Sequence, residues 1–82
     1  MKLVKLQAEW CQPCKSLSSV MRGLDHPLVD SMETIDIDKD RDKAIAYGVR
    51  SIPTLVLLDD DGKELRRRTG MATTEQLLEF LS

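Results

Sequence analysis

The chain has 82 residues, of which 41% are hydrophobic and 32% are charged, and its formal net charge is −2. This length allows one modest hydrophobic core, and the composition is that of a folded globular protein rather than a disordered one. Such a small net charge gives no indication of binding to nucleic acid or to an anionic membrane. The longest apolar run, residues 55–58, is far too short to span a membrane, and the first residues do not form a targeting segment. We therefore expect a single cytoplasmic domain over residues 1–82.

The first predicted strand covers residues 2–8, where side chains alternate between two faces. After Pro13, apolar residues at helical spacing predict a helix that ends before Pro27. Both cysteines of the chain, Cys11 and Cys14, lie where this strand ends and the helix begins.

The second predicted strand covers residues 32–37, and a short helix follows it. The run DKDRD at residues 38–42 supplies a cap and first-turn acids for that helix, and Gly48 ends it. A right-handed crossover makes the first two strands parallel neighbours. In open sheets of this kind, chemistry gathers beyond the carboxyl ends of the strands, where Cys11 and Cys14 fall.

The second half of the chain is predicted to form a hairpin and a last helix. The apolar run at residues 55–58 is continuous enough to be a strand buried on both faces. The sequence at residues 60–62 predicts a tight turn, after which residues 63–69 return antiparallel. Thr73 and Gln76 match a capping box that opens the last helix. The predicted fold is therefore α/β with the order βαβαββα, a four-stranded mixed sheet flanked by three helices.

A pair of cysteines separated by two residues can serve as a structural disulfide, as part of a metal site or as a redox-active dithiol. A structural disulfide does not persist in a reducing cytosol, and this loop is too short to constrain the unfolded chain usefully. A zinc site needs four ligands, and His26 is the one histidine of the chain, so only a metal shared between two chains stays open. Residues three apart on a first helical turn are close enough to form a disulfide after small adjustments. We therefore expect a pair that opens and closes, without a metal.

The position of each cysteine indicates its role. Cys11, at the helix start, faces backbone N–H groups and the positive end of the helix dipole, which favour a thiolate. Lys15, one helical turn later, adds a further cation. Cys14 lies one turn deeper and is more shielded. We therefore expect Cys11 to attack a substrate disulfide and Cys14 to resolve the mixed disulfide.

Several motifs resemble those of the thioredoxin family over essentially the whole chain: WCQPCK at residues 10–15, YGVRSIPT at residues 47–54, the turn glycine Gly62, and Gly70 before the last helix. The resemblance implies a minimal thioredoxin fold with a cis peptide bond before Pro53. It implies a protein-disulfide reductase that needs no cofactor beyond the redox-active disulfide, and whose electron donor is an NADPH-dependent thioredoxin reductase. We expect a monomer that acts on disulfide-containing proteins. The implied substrate-docking surface comprises Trp10, Ile52, Pro53, Gly70 and Met71.

The chain also departs from the family pattern. Only ten residues precede Cys11, so the chain is similar to the short form of the fold, of glutaredoxin size. Gln12 replaces the usual glycine, and with Pro13 it occupies the central pair that helps to set the redox potential. Lys5 stands where thioredoxins usually bury an aspartate beneath the cysteines, and Thr34 stands where a partner lysine is usual.

Two hypotheses for Lys5 follow from this departure. A buried ammonium cannot accept the proton of the resolving cysteine, but it can stabilise a thiolate and make the pair more oxidising. Alternatively, Lys5 extends its ammonium to the edge of the strand and contacts nothing.

Two other functions stay open. Glutathione-linked, glutaredoxin-like activity fits the short chain, but glutaredoxins usually have a CPYC-type centre and a Gly-Gly pair where this chain has Gly70-Met71. A non-catalytic accessory subunit of a larger complex is the second alternative, although such a scaffold does not need the cysteines together with Trp10, Pro13 and Pro53.

Overall fold

The computed structural model describes all residues, Met1–Ser82. The chain forms four strands and four helices. In chain order these are β1 (Lys2–Gln7), α1 (Gln12–Arg22), α2 (Pro27–Asp30), β2 (Glu33–Asp36), α3 (Arg41–Ala46), β3 (Thr54–Leu58), β4 (Glu64–Thr69) and α4 (Thr74–Leu81). None of these helices combines the length and the apolar character that crossing a membrane requires.

The strands form one mixed sheet in the order β2-β1-β3-β4. β1 and β2 run parallel, as a crossover through α1 requires, whereas β3 is antiparallel to both β1 and β4. The predicted mixed four-stranded sheet is thus confirmed. β1 and β3 are the central strands. The cysteines follow the carboxyl end of β1, so they lie near the middle of the sheet at one end of its strands.

Hydrophobic side chains cover both faces of the sheet. On one face, Leu3, Leu55 and Leu57 pack with residues of α1 and α4, among them Leu17 and Leu77. On the other face, a smaller cluster joins three strands: Val4, Leu6, Ile35, Val56 and Leu58. All five residues of β3 are buried, which confirms the prediction of a strand covered on both faces.

The helix starts follow the capping signals in the sequence. The Thr73 hydroxyl accepts from the Gln76 N–H, and the Gln76 side chain accepts from the Thr73 N–H, which confirms the capping box. Asp40 caps α3 by accepting from the Lys43 N–H. The α1 cap is Cys11, so a redox residue and a capping residue are one and the same.

The structure adds one element that the sequence did not predict. A single helical turn, α2, follows α1, so four helices flank the sheet rather than the expected three. Its cap is His26, whose Nδ1 accepts from the Leu28 N–H at 3.1 Å, and Pro27 occupies the first helical position. Histidine is not among the residues that signal a helix start, and a turn this short has no periodic apolar pattern.

Candidate active site

Cys11 and Cys14 are joined in a disulfide, with 5.2 Å between their Cα atoms. Both residues are buried, and only 4% of Cys11 and 1% of Cys14 is exposed. Together with Ala8, at the end of β1, they form a small cluster against which Ile37 and Ile52 pack. The two cysteines predicted from the sequence therefore meet at the junction of β1 and α1, with the more exposed of the two at the helix start.

Cys11 occupies the cap position of α1 with extended backbone. Its Sγ accepts a hydrogen bond from the Cys14 N–H at 3.1 Å. The first N–H groups of a helix lack partners within the helix and carry its positive dipole end, so they attract negative charge. A thiolate on Cys11 would meet this N–H directly.

The Ile52–Pro53 peptide bond is cis, as the resemblance implied. The Pro53 carbonyl accepts from the Gly70 N–H at 2.8 Å, which ties the start of β3 to the loop after β4. Gly70 has a φ of 86°, a left-handed conformation that favours glycine. Ile52, on the other side of the cis bond, packs against the cluster that contains both cysteines, so Pro53 and Gly70 lie at the disulfide end of the sheet.

Two large side chains stand out from this end of the molecule: Trp10 is 68% exposed and Met71 is 45% exposed. The Trp10 indole N–H donates to the Asp38 Oδ2 at 2.7 Å, so the exposed ring is held in one orientation. The sequence prediction missed this role of Asp38, which lies in the run at residues 38–42 that was assigned to capping α3. Since Asp40 supplies that cap, Asp38 is free to bind Trp10.

The remaining residues of the motif face solvent. Gln12, Pro13 and Lys15 are all exposed on the first turn of α1. The Lys15 backbone N–H donates to the Cys11 carbonyl at 3.2 Å, while its side chain takes part in none of the ion pairs of the structure.

Lys5 lies directly beneath α1 and is only 1% exposed. Its ammonium donates to the Gln7 Oε1 at 2.5 Å, to the Cys14 carbonyl at 3.2 Å, and to the Ser18 hydroxyl. Burial, together with the nearby Arg22 guanidinium, lowers the pKa of Lys5 below its usual value. The alternative in which Lys5 extends to the strand edge and contacts nothing is therefore wrong. Lys5 is buried because α1 covers the face of β1 that bears it.

Sequence reasoning also missed the two side chains that hold Lys5. Gln7 lies two residues along β1 on the same face, and Ser18 lies four residues after Cys14 on the same side of α1. Both are half-buried and line a surface cleft of about 440 Å³ together with Lys5, Arg22, Asp30 and Thr34. The spacing alone would have placed both residues near Lys5 if its burial had been known.

No group of three or more His, Cys, Asp and Glu side chains is arranged to hold a metal ion. The chemistry that this arrangement supports is the reversible making and breaking of the Cys11–Cys14 bond.

Comparison with known proteins gives a consistent result. A family model described as Thioredoxin matches residues 1–82. The thioredoxin of Chlamydia muridarum is 42% identical over 82 residues, an alignment that spans 98% of this chain and 78% of that protein. The thioredoxin of Bacillus subtilis is 37% identical, with the same shares of both chains covered.

Solved structures show the same likeness. The thioredoxin NaTrxh of Nicotiana alata superposes with a TM-score of 0.81 and is 34% identical, covering 96% of this chain and 69% of that one. A mutant thioredoxin of Halobacterium salinarum superposes with a TM-score of 0.80 at 33% identity, covering 95% of this chain and 68% of the other.

Proposed function

The chain belongs to the thioredoxin family and is a thiol–disulfide oxidoreductase, and on that premise we propose that it reduces disulfide bonds of proteins through Cys11 and Cys14. The observation that carries the proposal is the disulfide at the first turn of α1, with the Cys11 sulfur on the Cys14 N–H.

In the proposed reaction, the Cys11 thiolate attacks one sulfur of a substrate disulfide. The substrate S–S bond breaks, a mixed disulfide forms, and the first substrate thiolate leaves and takes up a proton from solvent. The Cys14 thiol then loses its proton and attacks Cys11, which releases the second substrate thiolate and leaves the Cys11–Cys14 disulfide. Two electrons pass from the protein to the substrate. The helix cap position of Cys11 and the deeper burial of Cys14 support this order of attack.

The substrate surface of the proposal comprises the exposed groups around the disulfide. Trp10 and Met71 offer exposed apolar area, and large aromatic side chains are frequent anchors at protein interfaces. Ile52, which packs against the cysteine cluster, is proposed with Pro53 and Gly70 as the backbone with which an extended substrate segment pairs, a form of β-augmentation. Gln12, Pro13 and Lys15 lie between or next to the cysteines and are proposed to set the redox potential.

A dithiol donor must return the Cys11–Cys14 disulfide to the reduced state. Membership of the family implies disulfide-containing proteins as substrates and thioredoxin reductase as the usual partner. We assign both to this chain as a proposal, with NADPH as the ultimate electron source. The proposal further places the chain in the cytoplasm as a monomeric, single-domain protein.

The test measures reduction of a protein disulfide by the chain in two systems. One contains NADPH and thioredoxin reductase, and the other contains glutathione and glutathione reductase. Activity in the first system supports the proposal, whereas activity in the second alone would identify a glutaredoxin-like enzyme. Activity in neither would favour the accessory-subunit alternative.

Two matched variants test the assigned roles. Cys14→Ser should accumulate a mixed disulfide with a substrate protein, because nothing resolves it. Cys11→Ser, which keeps one thiol as well, should form none because the remaining sulfur is shielded. Equal trapping by both variants would contradict the assignment.

A further inference from the structure

Lys5 is a buried cation without an acidic partner. It is the one charged residue among the buried residues of the chain, and none of the ion pairs of the structure includes it. A charge removed from water is costly unless it is paired or hydrogen-bonded. The hydrogen bonds of this ammonium and the charges near it therefore determine whether it can stay charged in the core.

Each hydrogen-bond donor of the Lys5 ammonium has a partner. An ammonium has three N–H donors and no acceptor, and it meets three oxygens: the Gln7 amide, the Cys14 carbonyl and the Ser18 hydroxyl. These partners are neutral, so they satisfy the hydrogen bonds and leave the charge uncompensated.

The other groups around Lys5 supply little compensation. The charged residues that share its cleft are Arg22 from α1 and Asp30, an exposed residue of α2. Its partners in the sheet, Thr34 on β2 and Leu55 on β3, do not titrate. Cys14 is a buried residue that can become an anion, and the Lys5 ammonium already contacts its carbonyl at 3.2 Å.

We propose that the Lys5 ammonium is the fixed counter-charge of the Cys14 thiolate during the resolving step. This inference rests on the proposed function, in which Cys14 must ionise before it attacks the mixed disulfide on Cys11. The proton of Cys14 leaves to solvent, and Lys5 stays protonated throughout. Lys5 is thus a positioning residue, which acts through Cys14 and does not touch the substrate.

The two cysteines are then stabilised by different groups. Cys11 has the helix N–H groups at the cap position, and Cys14, one turn deeper, has the ammonium hydrogen-bonded to its own carbonyl. A cation under the resolving cysteine replaces the proton acceptor that is usual in the family. The same charge favours the reduced pair wherever Cys14 is ionised, so above the Cys14 pKa the pair should be more oxidising with Lys5 than without it.

The experiment isolates Cys14 by using the full chain with Cys11→Ser. The pKa of the single thiol is measured from thiolate absorbance in this background with Lys5 and with Lys5→Met. An opposite charge within a few ångströms lowers an acid's pKa by one unit or more, so Lys5→Met should raise the Cys14 pKa by about one unit. Lys2→Met removes the same charge from an exposed position on the same strand and should leave it unchanged.

A second variant separates charge from hydrogen bonding. Lys5→Gln keeps N–H donors but has no charge, so it should raise the Cys14 pKa as Lys5→Met does. An unchanged pKa in Lys5→Met would overturn the proposal, as would a wild-type pKa in Lys5→Gln. If Lys5→Met does not fold, Lys5→Gln alone gives the same decision.

The kinetic consequence is a slower resolving step in the two-cysteine protein. Well below the Cys14 pKa, Lys5→Met should slow release of the mixed disulfide about three- to fourfold, because the greater nucleophilicity of the less acidic thiolate partly offsets its tenfold smaller fraction. An unchanged release rate would contradict the proposal. The titration needs no substrate, so its failure would leave the protein-disulfide reductase activity of the wild type unaffected.

Discussion

Replacing Lys5 by methionine should make the oxidised protein more stable at neutral pH. Lys5 is 1% exposed and has no acidic partner, so its charge is retained in the core only by three hydrogen bonds to neutral oxygens. Methionine has a similar length and no charge, and it suits irregular core positions. The substitution therefore removes the buried charge while filling most of the same space.

The magnitude follows from two opposing contributions. Burying an ion costs several kcal/mol, and each hydrogen bond to a charged group contributes about 1.5–3 kcal/mol, so the three bonds offset most of that cost. Replacing buried ionic groups by apolar side chains of similar volume nevertheless often stabilises a protein by about 1–4 kcal/mol. The lowered pKa of Lys5 indicates the same direction, because it means that the charged form is less favourable in the folded protein than in water. In Lys5→Met, the Gln7 and Ser18 side chains line a surface cleft and regain contact with water, while the Cys14 carbonyl loses about 1 kcal/mol. We expect a net gain of about 1–2 kcal/mol in the free energy of unfolding.

The assay is urea unfolding of the oxidised proteins, followed by far-ultraviolet circular dichroism, at neutral and alkaline pH. The folded-state pKa of Lys5 is lowered from 10.5, so between the lowered value and 10.5 the unfolded chain binds the proton and the folded chain does not. Wild-type stability therefore rises with pH relative to Lys5→Met, and the advantage of the variant shrinks. A variant less stable than wild type by 1 kcal/mol or more, or an advantage that does not change with pH, would refute the reasoning.

Three further outcomes are expected. Trp10→Ala should raise KM for a protein disulfide about tenfold and leave turnover of a small aromatic disulfide nearly unchanged, because Trp10 is proposed as a docking anchor. Equal effects on both substrates in steady-state assays would contradict this. Gly70→Ala should lower the free energy of unfolding by about 1–2 kcal/mol in urea titrations, because φ at Gly70 is 86°; an unchanged midpoint would contradict it. Thr73→Ala should cost about 1 kcal/mol in the same titration through loss of the α4 cap, and Thr73→Ser should retain most of that stability.

Periodicity and capping signals predicted most of the fold. The buried run at residues 55–58, the capping box at Thr73 and the cysteines at a strand-to-helix junction depend on local sequence, and each is found in the structure. The turn α2 was missed because it begins with a histidine cap, for which general capping preferences give no signal. Pro27 at its first position was the one available indication.

The burial of Lys5 could not be predicted in this way. Alternation along β1 places Lys5 on the same face as Leu3, but whether that face is covered at Lys5 depends on where α1 crosses the sheet. Long-range packing of this kind is not encoded in a local pattern. The same holds for Asp38, whose pairing with Trp10 joins residues 28 positions apart.

The charged state of Lys5 limits where the proton of Cys14 can go. The Lys5 ammonium has three N–H donors and no lone pair, so it cannot take up that proton. Its donors are used by Gln7, Cys14 and Ser18. The Glu9 carboxylate lines a neighbouring cleft with Cys14, but it is exposed and is ion-paired with Lys39. Solvent entering this cleft is then the acceptor, and the rate of the resolving step should rise with pH until Cys14 is ionised. A chain that buries a carboxylate at this position gains an internal proton acceptor, whereas this chain gains a more stable thiolate and depends on solvent for the transfer.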